Sequence, residues 1–209
     1  MPQESGKGVI RWATRYDWLV TFFTLGRERA LRERMLDLAR VVKGESVLDV
    51  GCGTGTLAIA AKRRVGDAGT VHGIDPSPEM IDRARKKAKR AHSGAVFHVA
   101  SAESLPFDTR SVDVVLSTVM LHHLARAVRG QAIEEMRRVV KSNGRILIVD
   151  FGKQTSAHRG LMAHFHQHGR VSMADLAALV EQATLGIVES GSVGLGTLIY
   201  ILAAPAGAG

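Results

Sequence analysis

The chain has very little cysteine and no long apolar run. Its 209 residues include a single cysteine, Cys52, which excludes an internal disulfide framework and is typical of a reducing compartment. No apolar stretch approaches the roughly 18 residues that a membrane span needs, and the N-terminus lacks the charged start and apolar core of a signal peptide. These absences predict a cytoplasmic protein.

Acidic residues are scarce relative to basic ones. The chain has 28 Lys and Arg against 20 Asp and Glu, a net charge of +8, which leaves nucleic acid, an anionic membrane surface and an acidic substrate open as partners. Six basic residues fall within 83–90, on a helix whose apolar side chains Ile81, Ala84 and Ala88 predict that the cations occupy the solvated outer face. No aromatic residues interleave with them, which argues against a nucleic-acid platform.

Half of the aromatic residues lie near the N-terminus. Trp12, Tyr16 and Phe23 share the spacing of one helix face, which predicts a helix within 9–25, followed after Gly26 by a second helix over 27–42. The aromatic and arginine content of the first helix also leaves peripheral contact with a membrane surface open. The inward side chains predicted for the second helix are Leu31, Met35, Leu38 and Val42.

The middle of the chain alternates apolar strand patterns with amphipathic helix patterns. This rhythm is the signature of an α/β, doubly wound, mostly parallel sheet with helices on both faces, in one domain. Gly144 is predicted to stop the last of these helices. The predicted strands are 46–50, 70–75, 95–99, 112–118 and 145–150, the helices between them are 56–66, 78–91 and 127–141, and a tail helix over 172–183 precedes strands around Ile187–Val188 and Leu198–Leu202.

A glycine-rich turn follows the first predicted strand. Gly51, Gly53 and Gly55 alternate with other residues, and Thr56 stands where a dinucleotide-binding Gly-x-Gly-x-x-Gly fingerprint has its third glycine. Asp75 ends the second predicted strand about 20 residues later, where a carboxylate accepts hydrogen bonds from ribose hydroxyls. A ribose site beside a glycine turn without a pyrophosphate signature predicts S-adenosylmethionine as the ligand.

Four segments in order resemble the motifs of class I S-adenosylmethionine-dependent methyltransferases. They read LDVGCGTG, GIDPSPEM, SAESLPFDTRSVDVVLS and EEMRRVVKSNGRILIVDF, and they cover about residues 45–151. The branch they resemble contains the ubiquinone/menaquinone C-methyltransferases and bacterial phospholipid N-methyltransferases.

The resemblance implies a Rossmann-like, seven-stranded sheet with an antiparallel edge strand. It also implies an N-terminal helical lid over 1–44 and a cofactor-binding domain over 45–209. The reaction it implies is methyl transfer by in-line displacement to a small or lipid-like acceptor.

The resemblance also implies which residues hold the cofactor. Ser101 departs from the family, which commonly has Asp or Asn facing the adenine amine. The implied contacts are Gly51, Cys52, Gly53, Thr54 and Gly55 to the methionine part and ribose, Asp49 to the turn or the amino group, Asp75 to the ribose, Pro76, Met80, Ser101, Ala102 and Glu103 to the adenine, Ser117 to the methionine end, and Tyr16 as a lid over that end.

Two adjacent histidines, His122 and His123, follow the fourth predicted strand. Either is a candidate general base that takes a proton from a phenol, an amine or a carbon acid, since an imidazole titrates near neutral pH. Asp150 ends the fifth strand, where it orients the acceptor or caps the loop. His164 and His168 have i, i+4 spacing but no third ligand, so no metal site is predicted.

Two other functional classes stay open. A nucleic-acid methyltransferase is prompted by the net charge, but residues 117–120 lack the Asp/Asn-Pro-Pro-Tyr type of motif that amino-methylating members place there. A non-catalytic S-adenosylmethionine-binding module is disfavoured by the intact glycines and Asp75. The sequence predicts neither the acceptor atom nor an oligomeric state.

Overall fold

The computed structural model describes residues 28–152, 172–194 and 197–207. The helices are α1 Glu28–Leu38, α2 Thr56–Val65, α3 Pro78–Arg90, α4 Arg126–Val139 and α5 Met173–Gln182, with a 3-10 turn at Leu121–His123. The strands are β1 Ser46–Val50, β2 Thr70–Asp75, β3 Val96–Val99, β4 Val112–Thr118, β5 Val140–Phe151, β6 Leu185–Ser192 and β7 Leu198–Pro205.

All seven strands form one sheet in the order β3-β2-β1-β4-β5-β7-β6. The first five are parallel, while β7 pairs antiparallel with both β5 and β6. The chain moves outward from β1 to β3 and then returns to place β4 on the other side of β1, which makes a topological switch point between β1 and β4. The predicted doubly wound sheet with an antiparallel edge is confirmed.

Apolar side chains cover both faces of the sheet, as expected of a mostly parallel sheet. On one face α1, α2 and α3 pack against Val47, Val114 and Leu147. On the other face α4 and α5 pack against Leu48 and Val115. Because successive side chains of a strand point to opposite faces, each central strand contributes to both layers.

Helix α1 is shorter than the sequence predicted. It ends at Leu38 because Arg40 takes a left-handed conformation, with φ of 53°. The Arg40 N–H donates to the Asp37 carbonyl at 2.9 Å and the Val41 N–H to the Leu36 carbonyl at 3.0 Å, the pattern of a Schellman stop. Glycine usually occupies this position. Because arginine stands here instead, no glycine marks the helix end in the sequence. The prediction that Val42 points inward is wrong, since it is 57% exposed.

The junction between α4 and β5 also differs from the prediction. The helix ends at Val139, β5 begins at once, and Gly144 lies inside β5 instead of stopping the helix. The register against β4 runs from Val140 to Arg145 across an irregularity opposite Asp113. A Cβ on Gly144 would lie 2.6 Å from the Asp113 carbonyl oxygen, so glycine is needed there for the close approach of two strands.

The five described helices are too short or too polar to cross a bilayer. Among the residues that the structure describes, no helix has the length and apolar composition of a membrane span. Residues 9–25 and 153–171, which carry the predicted N-terminal helix, His164 and His168, lie outside the described residues.

The Gly144 contact gives a stability prediction with an internal control. We expect Gly144→Ala to lower the free energy of unfolding by about 1–3 kcal/mol, since the new methyl group overlaps the backbone of β4. Gly130→Ala in α4 meets nothing within 4 Å and should raise it by about 0.5–1 kcal/mol through helix propensity. Urea titrations of both variants measure the two effects. Equal stability of the two variants would contradict the packing role of Gly144.

Candidate functional site

The glycine turn leaves β1 at the carboxyl end of the sheet. Gly51, Gly53 and Gly55 have φ values of 74°, 52° and 75°, which side chains with a Cβ rarely adopt. The Gly51 and Cys52 N–H groups both donate to the Ile74 carbonyl, at 2.9 and 2.8 Å. These two hydrogen bonds therefore hold the turn against the end of β2.

The three glycines have different reasons to lack a side chain. A Cβ on Gly51 would lie 2.3 Å from Met120 Cγ, and one on Gly55 would lie 2.6 Å from the Phe97 ring. A Cβ on Gly53 would meet nothing within 4 Å. Gly51 and Gly55 are thus required by packing, whereas Gly53 presents bare backbone to open space that a ligand can occupy.

Asp75 joins the glycine turn to the start of α3. Its Oδ2 accepts the Gly53 N–H at 3.0 Å, and its Oδ1 accepts the Ser77 N–H at 2.9 Å. Burial raises the pKa of Asp75, while these two hydrogen bonds lower it in part. A carboxylate offers about four acceptor sites, so Asp75 keeps capacity for two further donors such as a pair of ribose hydroxyls.

Two buried polar side chains near the ends of the central strands lack a hydrogen-bond partner among the described residues. They are Asp49 on β1, through both carboxyl oxygens, and Ser117 on β4, through its hydroxyl. The strands are neighbours, with Val50 opposite Ser117. A buried polar atom without a partner costs about 1–3 kcal/mol, so these three atoms are suited to a polar ligand that reaches the carboxyl edge of the sheet.

Burial also changes the acidity of Asp49. Loss of solvation is the largest effect on its carboxyl; opposed by the nearby Ala58 N–H and aided by the negative charge of Asp75, it raises the pKa from 3.8 to about 7. The Ala58 N–H does not reach hydrogen-bond geometry with either oxygen. Asp49 therefore titrates near neutral pH.

Thr54 and Cys52 have side chains engaged with the protein. The Thr54 hydroxyl accepts from Lys87 Nζ at 2.7 Å, and Lys87 also donates to Thr56 at 2.8 Å. Burial raises the pKa of the Cys52 thiol, with the charges of Asp49 and Asp75 adding to the effect, so the thiol stays neutral. A ligand can therefore contact the backbone of both residues, but it meets no reactive side chain there.

The placement of Lys87 corrects one prediction and adds a residue to the site. The sequence assigned all the basic residues of α3 to a solvated face, yet Lys87 is half-buried and holds the glycine turn. Arg85 likewise donates to the Phe97 carbonyl, at 2.8 and 3.2 Å. Nothing in the sequence distinguished these two cations from their neighbours, because their partners lie on other elements.

The predicted adenine contacts lie at the same edge of the sheet. Pro76 is exposed, and Met80 is half-buried with its N–H donated to Ser77 Oγ at 3.3 Å. The segment Ser101–Glu103 follows β3, where the Ala100 N–H donates to the Asp75 carbonyl at 3.2 Å. Its Ala102 is buried, and the Glu103 carbonyl accepts from Gln131 of α4 at 3.2 Å. Tyr16 lies outside the described residues.

The two adjacent histidines are not equivalent in the structure. His122 Nδ1 lies 2.8 Å from Asp150 Oδ1, and the His122 side chain is 16% exposed while Asp150 is fully buried. His123 is exposed, and its ring centroid lies 3.8 Å from that of His122. The sequence missed the His122–Asp150 pair because it depends on the pairing of β4 with β5.

Histidine and acidic side chains form no metal-binding group in the described part of the chain. Residues 28–152, 172–194 and 197–207 contain no group of three or more His, Cys, Asp or Glu side chains placed to hold a metal ion. The polar side chains at the carboxyl edge of the sheet therefore form the candidate site.

Comparison with known proteins gives a family match, curated relatives and similar solved structures. Residues 47–144 match the protein-family model described as a methyltransferase domain. Aklanonic acid methyltransferase DauC from Streptomyces sp. (strain C5) is 40% identical over 134 residues, which are 63% of this chain and 57% of that protein. The ubiquinone/menaquinone biosynthesis C-methyltransferase UbiE from Geobacter sp. (strain M21) is 33% identical over 156 residues, 74% of this chain and 66% of that protein.

The chain spans less than two thirds of the length of either relative. Among solved structures, a SAM-dependent methyltransferase from Aquifex aeolicus superposes with a TM-score of 0.69 at 23% identity, over 82% of this chain and 88% of the other. This likeness supports the fold.

The buried carboxyl of Asp49 predicts a pH dependence of stability. A folded-state pKa of about 7 against an ordinary value of 3.8 means that the folded protein binds the extra proton. The stabilisation is complete below about pH 4 and is lost as the pH rises through 7. We expect Asp49→Asn, which cannot ionise, to become more stable relative to the wild type across this window, by up to about 4 kcal/mol.

Urea unfolding of cofactor-free protein at several pH values measures this difference. Asp67→Asn, which removes an exposed acidic charge from the loop after α2, provides the baseline for the change in net charge. A difference between Asp49→Asn and wild type that is the same at pH 4 and pH 7 would contradict the assignment.

Proposed function

The chain belongs to the class I S-adenosylmethionine-dependent methyltransferases, and from that premise we propose that it transfers a methyl group from S-adenosylmethionine to a small or lipid-like acceptor. The observation that carries the proposal is the open backbone of Gly53 beside the Asp75 carboxylate, at the switch point of the sheet. Ligands of doubly wound sheets bind in this crevice.

The residues at the site fit this cofactor. Asp75 has acceptor capacity for both ribose hydroxyls, and Gly53 allows the ligand to approach the backbone. The unpartnered carboxyl of Asp49 suits an ammonium group such as that of the methionine part, and the Ser117 hydroxyl suits a polar atom at the same end. The absence of a third glycine at Thr56 suits a ligand without a pyrophosphate.

Methyl transfer from S-adenosylmethionine needs little chemical assistance from the protein. S-adenosylmethionine supplies a methyl group on a positively charged sulfur, which departs as a neutral thioether. The chain's contribution is to align the acceptor with the methyl carbon, an effect that can supply several kcal/mol of the barrier reduction. The rigid edge formed by the glycine turn, Asp75 and the turn at Leu121–His123 is suited to this alignment.

The acceptor proposal draws on the names of the relatives. These proteins are named for aklanonic acid and for ubiquinone and menaquinone, which supports a small, aromatic or lipid-like acceptor for this chain. Nucleic acid is less favoured, since Lys87 of the basic helix is engaged with Thr54 and Thr56 within the protein. Residues 117–120 also lack the motif of the amino-methylating nucleic-acid enzymes.

A matched pair of glycine variants tests the ligand surface at Gly53. Gly53→Ala and Gly44→Ala both place alanine at positive φ, 52° and 83°, with nothing within 4 Å of the new methyl group. Each should therefore lose about 1–2 kcal/mol of stability. We expect only Gly53→Ala to weaken S-adenosylhomocysteine binding in calorimetry, by at least about tenfold. Equal affinities of the two variants would argue that no ligand lies against Gly53.

The second binding prediction concerns Asp75. We expect Asp75→Ala to weaken S-adenosylmethionine binding by about tenfold or more, since each hydrogen bond to a charged group contributes about 1.5–3 kcal/mol. Asp82→Ala on the exposed side of α3 is the control and should bind as the wild type does. Calorimetry on folded variants measures both, and wild type that binds neither S-adenosylmethionine nor S-adenosylhomocysteine would refute the proposed function.

A further inference from the structure

The pairing of His122 with Asp150 points to a role for each of these residues and to a chemical class of methyl acceptor. We propose that Asp150 is a positioning residue that holds His122 with Nε2 free to accept a proton. We propose further that the acceptor is a weak acid, such as a hydroquinone, a phenol or a 1,3-dicarbonyl compound, that gives up an O–H or C–H proton to this nitrogen. The inference rests on the proposed methyl transfer.

Asp150 determines which ring nitrogen of His122 carries the proton. Its Oδ1 accepts from His122 Nδ1 at 2.8 Å and from the Phe151 N–H at 2.7 Å, and its Oδ2 accepts the His122 backbone N–H at 3.0 Å. An ionised carboxylate can only accept hydrogen bonds, so Nδ1 is the protonated nitrogen of neutral His122. The lone pair is then on Nε2, which makes that atom the base.

Neighbouring rings restrict the orientation of His122. Phe151 meets it edge-on, with centroids 5.2 Å apart and planes at 74°, and the His123 ring lies 3.8 Å away. His123 is exposed on the same 3-10 turn, whereas the His122 ring lies against the Asp150 carboxylate, so the carboxylate distinguishes His122 from His123. Among the described residues, Asp150 from β5 and His123 are the titratable groups in contact with the ring.

The backbone before His122 is held in a costly conformation. Val119 has φ of 54°, a region that β-branched residues seldom enter. Its N–H donates to the Val149 carbonyl at 2.7 Å, which holds this residue against β5 next to Asp150. Such strain costs about 1–3 kcal/mol and clusters at functional sites, where the surrounding structure enforces it.

The glycine turn lies beside this segment. Met120, two residues before His122, fills the space that a side chain on Gly51 would need. The His122–Asp150 pair and the proposed cofactor surface therefore share the carboxyl edge of the sheet. This placement allows a proton to be removed from an acceptor that is aligned there.

The proton and electron balance of the step follows from this placement. The acceptor loses its O–H or C–H proton to His122 Nε2, and the electron pair released forms the new bond to the methyl carbon. The bond from that carbon to sulfur breaks with its electron pair on sulfur. The imidazolium, whose charge the buried Asp150 carboxylate balances, then passes its proton to water.

This chemistry distinguishes between acceptor classes. A carboxylate acceptor is already ionised at neutral pH and gains nothing from a base. Hydroquinones, phenols and 1,3-dicarbonyl compounds are mostly protonated there, and a neutral imidazole is a base of suitable strength for them. A histidine held by a buried carboxylate is therefore matched to weakly acidic acceptors.

The first test needs neither cofactor nor acceptor. Long-range proton–nitrogen NMR spectra of the cofactor-free protein, assigned with His122→Gln and His123→Gln, report which nitrogen of each ring is protonated. We expect neutral His122 to be protonated at Nδ1 in the wild type and to lose this preference in Asp150→Asn. A wild-type His122 protonated at Nε2 would overturn the role of Asp150, whether or not the variants fold.

The second test measures methyl transfer to three probes: a water-soluble naphthohydroquinone, a phenol and a 1,3-diketone. We expect His122→Gln to lower kcat by about 10²- to 10⁴-fold, with KM and S-adenosylhomocysteine affinity little changed. The loss should shrink at a pH above the pKa of the acceptor, where the probe is already ionised. The control His92→Gln, at an exposed position after α3, should stay within about threefold of wild type.

The outcomes separate this inference from the proposed function. A wild type that binds S-adenosylmethionine but methylates none of the three probes overturns the acceptor class. A His122→Gln variant with wild-type kcat, or a loss that does not depend on pH, overturns the base. A wild type that does not bind the cofactor refutes methyl transfer itself, while the NMR result still decides which nitrogen Asp150 holds.

Discussion

The hydrogen bonds of the Asp75 carboxylate hold together the edge of the sheet on which the site is built. One oxygen takes the N–H of Gly53 in the first turn, and the other takes the N–H of Ser77 before α3. The switch in strand order opens a crevice between β1 and β4, and these bonds keep the walls of that crevice in place on the side of β2. On the opposite side, Asp150 performs a similar task for the turn that carries His122.

Much of this arrangement is encoded locally and was therefore accessible from the sequence. The alternation of apolar strands with amphipathic helices predicted the parallel sheet, because each pattern reflects the burial of its own segment. The glycine turn and Asp75 were also predicted, since alternating glycines and a strand-end carboxylate are short-range signals. Their convergence followed from one rule, that parallel strands end at the same edge of the sheet.

The features that the sequence did not predict depend on partners distant in the chain. Gly144 was assigned to a helix end because its true reason, the Asp113 carbonyl, lies on another strand. Lys87 was assigned to solvent because Thr54 is 33 positions away. The choice between His122 and His123 required the register of β5 against β4, which no local pattern specifies. The helix end at Arg40 was missed for a different reason, since arginine is not a residue type that marks a left-handed helix stop.

The position of β7 has a consequence for how the sheet assembles. β7 lies between β5 and β6 and pairs with both, so β6 has no direct neighbour in the sheet until β7 is in place. β6 is thus synthesised before β7 but can enter the sheet only together with β7 or after it. Until then the edge of β5 is an unpaired template that another chain can occupy. This half of the sheet is therefore the segment most exposed to mispairing during folding.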